Sequence, residues 1–197
     1  MRYSYSNLST WQKCPRQWEA KYVTKTYPHE DTPALRRGQE VHATLEAAIG
    51  AQVDPPSDLW MPEGLVPLLH RADARVETKI EIHKPAHLMG YLDVCIVGPD
   101  YVAVIDWKTG KMRSPDPLQA DVYAMLVRRA WGIDDVSFTW VGVDAKRALT
   151  THPDANAERR VMSIINDIET NGKYPPTPSW LCRFCPLTWC EHNEKRG

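Results

Sequence analysis

The fold of this chain is constrained most by two consecutive apolar segments that a tight turn joins. Residues 90–97 (GYLDVCIV) and 101–108 (YVAVIDWK) are rich in β-branched and aliphatic side chains, which is typical of buried strands. The Gly-Pro-Asp sequence between them suits a turn, because proline fixes the backbone of its second position. The pattern predicts an antiparallel hairpin, whose register follows if Gly98 pairs with Tyr101.

That register places two carboxylates opposite each other on neighbouring strands. Asp93 faces Asp106, and such cross-strand partners have Cβ atoms about 4.5–5.5 Å apart. Lys108 projects to the same side as Asp106, and Cys95 opposite Val104 contributes to an apolar floor beneath the acids. Two carboxylates on such a floor repel each other and must either take up a proton or share a cation, and oxygen ligands favour Mg²⁺ or Mn²⁺.

A divalent ion held by two acids beside a lysine suits phosphodiester hydrolysis. The ion polarises a phosphoryl group and lowers the pKa of water, while the Lys108 amine can stabilise developing charge. The alternative is a structural ion pair between Asp106 and Lys108 at a strand end. A second acid, Asp93, facing the first favours the catalytic interpretation.

The flanking segments alternate between strand and helix patterns. Residues 76–82 (VETKIEI) have period two, which predicts a strand with its glutamates on one face, and residues 136–143 predict another. Amphipathic helices are predicted over residues 35–50, 117–132 and 156–172. This order predicts the α/β fold class, with a mixed central sheet flanked by helices and its first strands antiparallel.

Four cysteines lie near the two ends of the chain, and a fifth, Cys95, belongs to a predicted core strand. The four are Cys14, Cys182, Cys185 and Cys190. Pro15 is expected to break the N-terminal segment into two short helices at the first of them. Four thiolates hold either Zn²⁺ or an iron–sulfur cluster, and His192 also allows a zinc site with three cysteines.

Charge and hydropathy restrict the setting in which the chain acts. The net charge is −1, so no global basic field indicates nucleic acid, although residues 1–25 carry five basic residues against one acid. Trp11 and Trp18 in that basic segment either stack on bases or belong to the core. No apolar run of eighteen residues and no signal-peptide pattern occur, which predicts a cytoplasmic protein without a membrane partner.

Several short motifs follow one another in an order that resembles the RecB-like branch of the PD-(D/E)XK nuclease superfamily. They are SYSNLSTWQKCPRQW (4–18), GQEVH (38–42), GYLD (90–93), VIDWKTG (104–110), QADVY (119–123) and CRFCPLTWC (182–190). More narrowly, the set is similar to the CRISPR-associated iron–sulfur exonuclease family and its phage relatives. The resemblance covers nearly the whole chain. It departs from the superfamily's pattern in lacking a proline before the first acid and in having Asp106 where many relatives have glutamate.

The resemblance implies roles for individual residues. The metal site would consist of the side chains of His42, Asp93 and Asp106 and the backbone carbonyl of Trp107. Asp93, Asp106 and Lys108 would be catalytic, with Lys108 acting on the attacking water.

The resemblance also extends to DNA contact and to the cysteines. Gln119 and Tyr123, one helical turn apart, would lie against DNA. Glu77 either supports the acids or faces water, and it stays outside the predicted site. The resemblance favours a [4Fe–4S] cluster on the four cysteines, with Zn²⁺ as the alternative.

We expect a single nuclease domain over residues 1–197. Residues 1–35 and 173–197 would form a cysteine metal clasp that joins the N-terminal helices to the C-terminal tail, and residues 36–172 would form the catalytic core. The expected function is Mg²⁺- or Mn²⁺-dependent exonucleolytic hydrolysis of single-stranded DNA or duplex ends, in recombination, repair or CRISPR adaptation. The expected setting is the cytoplasm of a bacterial, archaeal or phage-infected host cell.

Two other functions compete with this expectation. One is a non-catalytic DNA-binding or scaffold subunit with a nuclease-like fold, and the other is an iron–sulfur redox protein. The chain has no G-x-x-x-x-G-K-[ST] segment, so any unwinding motor would belong to another protein. Partners beyond DNA would therefore be a helicase, an annealing protein or a CRISPR adaptation protein, and the sequence does not indicate an oligomeric state.

Overall fold

A five-stranded mixed sheet lies at the centre of the computed structural model, which describes residues 1–28, 31–112 and 114–194. The strands are β1 (Ala74–Ile82), β2 (Leu88–Val97), β3 (Tyr101–Lys108), β4 (Asp135–Gly142) and β5 (Arg147–Thr151). They lie side by side in chain order, with β3 and β4 parallel and the other neighbours antiparallel. The predicted mixed sheet with antiparallel first strands is confirmed.

Helices cover both faces of this sheet. They are α1 (Tyr5–Lys13), α2 (Pro15–Trp18), α3 (Pro33–Gly50), α4 (Leu65–Leu69), α5 (Pro117–Trp131) and α6 (Ala157–Thr170). One core cluster joins α1, α2, α5 and α6 to the sheet, and a second joins α3 and α4 to the opposite face. A π-helical turn, Glu19–Val23, extends α2, and a 3₁₀ turn, Trp180–Phe184, lies in the C-terminal tail.

The β2–β3 hairpin has the predicted register. The Gly98 N–H closes its turn with a 2.9 Å hydrogen bond to the carbonyl of Tyr101. Val94 faces Ile105 at the other end of the observed pairing. The next opposing positions along this register are the two acids of the predicted site, as expected.

Partway along β1 and β2, the side chains that pack against the helices switch from one face of the sheet to the other. On β1, Ile80 packs in the cluster with α5, whereas Val76 packs on the α3 side. On β2, Leu92 and Val94 are divided between the two clusters in the same way. Residues two or four positions apart share a face in a regular strand, so both strands depart from strict alternation here. The prediction of an uninterrupted period over residues 76–82 is therefore wrong.

The change of face occurs at Glu77 and Asp93. Glu77 has a φ of 42°, a left-handed conformation that is costly for a residue with a side chain. The β1–β2 pairs on either side keep one register, which brackets Glu77 opposite Asp93. An irregularity in two neighbouring strands thus brings one further acidic residue, Glu77, next to Asp93.

The N-terminal segment belongs to the core. Trp11 and Trp18 are only 3% and 2% exposed, so both are core residues and neither is available to stack on bases. Tyr3 bonds to the start of β2, donating its N–H to the carbonyl of His87 (2.8 Å) and accepting from the N–H of Met89 (3.0 Å). Within the described part of the chain, every helix is too short or too polar to cross a membrane.

Candidate active site

Asp106, near the end of β3, is the most buried carboxylate of the predicted site. Its side chain lies beneath α5, and the residue is only 7% exposed. The Gln119 side-chain amide donates to Asp106 Oδ1 at 2.6 Å. The Lys108 ammonium forms an ion pair with the buried Asp106 Oδ2 at 2.5 Å. A carboxylate oxygen accepts more than one partner, so Asp106 Oδ2 keeps capacity to bind a cation beside Lys108.

His42 joins the site from the opposite face of the sheet. Its neighbours Val41 and Leu45 are buried against the sheet and fix the orientation of α3. His42 Nδ1 lies 3.3 Å from Asp93 Oδ2, and Nε2 lies 3.1 Å from the carbonyl oxygen of Trp107. Asp93 Oδ2 also accepts a 2.9 Å hydrogen bond from the Trp107 N–H. Both ring nitrogens of His42 therefore face hydrogen-bond acceptors, which favours the protonated imidazole. The hydrogen bond to Asp93 contributes most, and it raises the pKa of His42.

Glu77 is the site residue that the sequence interpretation left out. One ligand atom each from His42, Glu77 and Asp93 lie within 4.8 Å of one another, close enough to bind one ion. The strand pattern left open whether Glu77 supports the acids or faces water, because a regular period gives it the same face as Glu81. Glu77 could have been identified as a site residue from its position opposite Asp93. That position is known only once the β1–β2 register is known.

The electrostatics of the site favour a bound cation. Burial, and then the charge of Asp93, raise the pKa of Asp106 to about 6 against the opposing effects of Lys108 and His42. Burial and the charge of Asp93 likewise raise the pKa of Glu77. A divalent ion would offset this crowding of negative charge, and carboxylates with an imidazole and a backbone carbonyl are suitable ligands for Mn²⁺ or Mg²⁺. His42, Glu77 and Asp93 therefore fit such an ion, whereas Asp106 lies outside the group whose ligand atoms are within 4.8 Å of one another.

Gln119 and Tyr123 lie beneath the acids and not on an open surface. Gln119 is 4% exposed, and its side chain is occupied on one side by Asp106 and on the other by the Trp140 indole N–H, at 3.0 Å. Tyr123 is 9% exposed and donates its hydroxyl to the carbonyl of Tyr91 at 2.8 Å. Their polar atoms are already used within the protein, and contact of these two residues with DNA stays a prediction.

The four clustered cysteines line one cavity of about 70 Å³ between the α1–α2 junction and the C-terminal tail. They are Cys14, Cys182, Cys185 and Cys190. Three of the sulfurs accept hydrogen bonds: Cys14 from Thr177 N–H (3.5 Å), Cys182 from Ser179 N–H (3.4 Å) and Cys185 from the Gln17 amide (3.3 Å). All five cysteines of the chain have free thiols, and Cys95 is fully buried in the core, as predicted.

Contacts other than the thiols also fasten the tail to α2. The Arg16 guanidinium donates to the carbonyl of Tyr174 at 3.0 Å and pairs with Glu191 at 3.3 Å. Trp18 stacks on the Tyr174 ring, with centroids 5.7 Å apart. These contacts hold the two walls of the cavity together without the participation of the thiols.

Comparisons with known proteins agree with this fold. The sequence profile of the PD-(D/E)XK nuclease superfamily matches residues 2–75 and 64–190. No curated protein matches the chain significantly. A solved structure titled "Crystal structure of SSO0001" is similar with a TM-score of 0.53 and 17% identity, covering 98% of this chain and 87% of that one.

A second solved structure is an alkaline exonuclease (LHK-Exo) from Laribacter hongkongensis. Its TM-score is 0.46 at 14% identity, over 85% of this chain and 88% of that one. The likeness to the SSO0001 structure shows the fold alone, whereas the sequence profile spans most of the chain. The chain belongs to the PD-(D/E)XK nuclease superfamily.

Proposed function

We propose that the protein is a Mg²⁺- or Mn²⁺-dependent DNA exonuclease that hydrolyses phosphodiester bonds of single-stranded DNA or of duplex ends. One observation carries the proposal. The buried Asp106 Oδ2 is paired with the Lys108 ammonium and lies within the electrostatic influence of Asp93 and His42. A non-catalytic protein with this fold would have no need to keep all four groups.

The proposed roles follow from the contacts of each group. The side chains of His42, Asp93 and Asp106 and the carbonyl of Trp107 would hold the ion. When bound, a divalent ion polarises the scissile phosphate and lowers the pKa of a nearby water. Lys108, held by its ion pair with Asp106, would orient the attacking water and stabilise the negative charge that develops on the phosphate.

Two further residues would support this chemistry. Glu77 would share the ion with His42 and Asp93, because their ligand atoms lie within 4.8 Å of one another. Gln119 would act as a positioning residue, since its hydrogen bond to Asp106 Oδ1 fixes the orientation of the carboxylate whose Oδ2 pairs with Lys108.

Degradation of labelled DNA tests the proposal. The purified protein should degrade linear single-stranded DNA or duplex ends when Mg²⁺ or Mn²⁺ is added, and EDTA should stop the reaction. A covalently closed circular single strand should resist, because an exonuclease needs an end. Asp106→Ala and Lys108→Ala should each lower the rate at least about 100-fold, since the first removes a ligand of the ion and the second removes a positive charge beside the reacting phosphate.

A matched control separates chemistry from folding. Asp135→Ala, at the exposed start of β4, should leave the rate unchanged. Full activity of Asp106→Ala would remove the proposal. DNA binding without cleavage in any divalent metal would favour the non-catalytic DNA-binding or scaffold subunit.

We propose further that the four clustered cysteines hold a [4Fe–4S] cluster. They line a single cavity, and three of the sulfurs accept hydrogen bonds of the kind that thiolate ligands receive. Among the described residues, no three cysteine sulfurs lie within 4.8 Å of one another. A single Zn²⁺ would draw thiolates closer, to about 3.8 Å by its bond length, whereas in a cluster each cysteine binds a different iron.

The cofactor can be identified from the isolated protein. Anaerobic purification should give a brown protein with equal amounts of iron and acid-labile sulfide. Cys190→Ala should lose both, while Cys95→Ala, which changes a core cysteine outside the cavity, should keep them. Stoichiometric zinc without iron would identify the alternative.

We infer that the nuclease acts together with other proteins on DNA in the cytoplasm of a bacterial, archaeal or phage-infected host cell. The chain lacks a phosphate-binding segment for ATP, so strand separation would require a helicase. An annealing protein or a CRISPR adaptation protein would suit recombination or spacer processing. Stimulation of cleavage by one of these proteins, measured with purified components, would distinguish the pathways.

A further inference from the structure

Two histidines and a glutamate meet at the loop end of the β1–β2 hairpin. Ile82 pairs with Leu88 at the end of the ladder, so His83 and His87 occupy the next opposing positions. Their rings lie with centroids 4.6 Å apart. Glu81 precedes His83 by two residues and therefore projects to the same side of the strand. We call Glu81, His83 and His87 the hairpin cluster.

The donor atoms of the hairpin cluster are close enough to bind one ion. One ligand atom from each of the three side chains lies within 4.8 Å of the other two. His87 Nε2 is 2.6 Å from Glu81 Oε1, while Glu81 Oε2 pairs with the Lys79 ammonium at 2.5 Å. Lys79 thus engages one carboxylate oxygen and leaves the other directed at the imidazoles. All three residues reach solvent, so an ion has access.

The backbone around the hairpin cluster is held in place. The carbonyl of His87 accepts from the N–H of Tyr3, and Tyr3 is only 2% exposed. The backbone hydrogen bonds to Tyr3 therefore fix the position of His87 within the ligand set.

We propose that the hairpin cluster is a second metal site, which binds a transition-metal ion of the Zn²⁺ class and discriminates against Mg²⁺. Two imidazoles and one carboxylate suit Zn²⁺, whereas Mg²⁺ prefers oxygen ligands alone. The site is separate from the catalytic acids, because Glu81 lies four residues beyond Glu77, about 13 Å along the strand. A bound ion would staple the end of the hairpin to which the N-terminal segment is bonded.

Zinc binding by the full-length protein tests the inference. The protein is dialysed against micromolar Zn²⁺ in millimolar Mg²⁺, which keeps the catalytic site filled, and bound zinc is measured by mass spectrometry. The wild type should retain one more Zn²⁺ per chain than a variant carrying both His83→Gln and His87→Gln. His152→Gln, which changes an exposed histidine elsewhere, should match the wild type. The cysteine cavity is identical in all three proteins, so its zinc cancels.

Two further measurements make the result decisive. Without Zn²⁺, the double variant should melt at the temperature of the wild type, and Zn²⁺ should raise the melting temperature of the wild type only. Glu81→Gln, which keeps both histidines, should weaken zinc binding at least tenfold. Equal zinc content and equal melting shifts in the wild type and the double variant would overturn the proposal, whatever the outcome for DNA cleavage.

Discussion

Replacing Asp106 with asparagine should stabilise the metal-free protein. This change keeps the size of the side chain and an oxygen that can accept from Gln119, but it removes a charge from a position that is 7% exposed. The opposite result would be expected for a carboxylate whose role is only to form an ion pair with Lys108. The sign of the effect therefore separates a site built for a cation from a structural ion pair.

The size of the expected change in the free energy of unfolding follows from the pKa of Asp106. Burial and Asp93 raise it from 3.8 to about 6, so the folded state binds the proton more tightly than the unfolded chain does. The stability that this proton contributes is present below the unfolded pKa of 3.8 and is lost as the pH rises through about 6. Above pH 7 the ionised carboxylate lowers the free energy of unfolding by about 3 kcal/mol, because each pKa unit corresponds to about 1.4 kcal/mol.

Urea unfolding of the wild type and of Asp106→Asn, both in EDTA, measures the effect. At pH 8 the variant should be more stable by about 1–3 kcal/mol, which corresponds to a melting temperature about 2–10 °C higher. At pH 4.5 the difference should fall to about a third, since the wild-type carboxyl is then mostly protonated in the folded state. Added Mn²⁺ should stabilise the wild type and reverse the order.

Asp121 offers a matched control for this comparison. Asp121 is 6% exposed and accepts two 2.6 Å hydrogen bonds from Arg160. Asp121→Asn should therefore destabilise the protein at pH 8, because it leaves Arg160 without its charged partner. If Asp106→Asn is no more stable than the wild type at pH 8, or if its advantage does not depend on pH, the electrostatic reasoning about the site is refuted.

Three other predictions concern separate parts of the molecule. Glu77→Gln should raise the Mn²⁺ concentration needed for half-maximal cleavage about tenfold or more in a metal titration, while Glu40→Gln, on the exposed side of α3, should not change it. Equal titration curves for the two variants would exclude Glu77 as a ligand. Gly90→Ala should lower the free energy of unfolding by about 1–3 kcal/mol in urea titrations, because the added Cβ would lie 2.7 Å from the Tyr123 ring; an unchanged midpoint would show that the ring moves aside. Cys182→Ala should increase proteolysis of the C-terminal tail relative to Cys95→Ala, and equal cleavage of both variants would show that the thiols do not fasten the tail.

The hairpin and its paired acids were predictable because their determinants are local. A Gly-Pro-Asp turn fixes the register of β2 against β3, and the register alone places Asp93 opposite Asp106. The change of face at Glu77 was not predictable, because it depends on how two strands twist against α3 and α5 together. The strand period of residues 76–82 is regular in sequence and irregular in space.

The other differences have similar causes. The burial of Gln119 was not predictable, because a motif defines the identity of a residue and not its depth. The partner that covers it, Trp140 of β4, is distant in sequence. β5 was missed since its sequence, RALTT, is short and weakly apolar and becomes a strand only by pairing with the edge of β4.

The closure of the cysteine cavity by both ends of the chain affects how the protein matures during synthesis. Thr177 N–H reaches Cys14 across 163 residues. At usual translation rates of about 5–20 residues per second, roughly 10–30 s pass between the synthesis of the first thiol and that of its neighbours in the tail. Any cofactor held there must therefore be loaded last. A chain truncated before the tail lacks three of the four thiols, even if it contains every catalytic residue. Such a chain would remain a substrate for quality-control proteases.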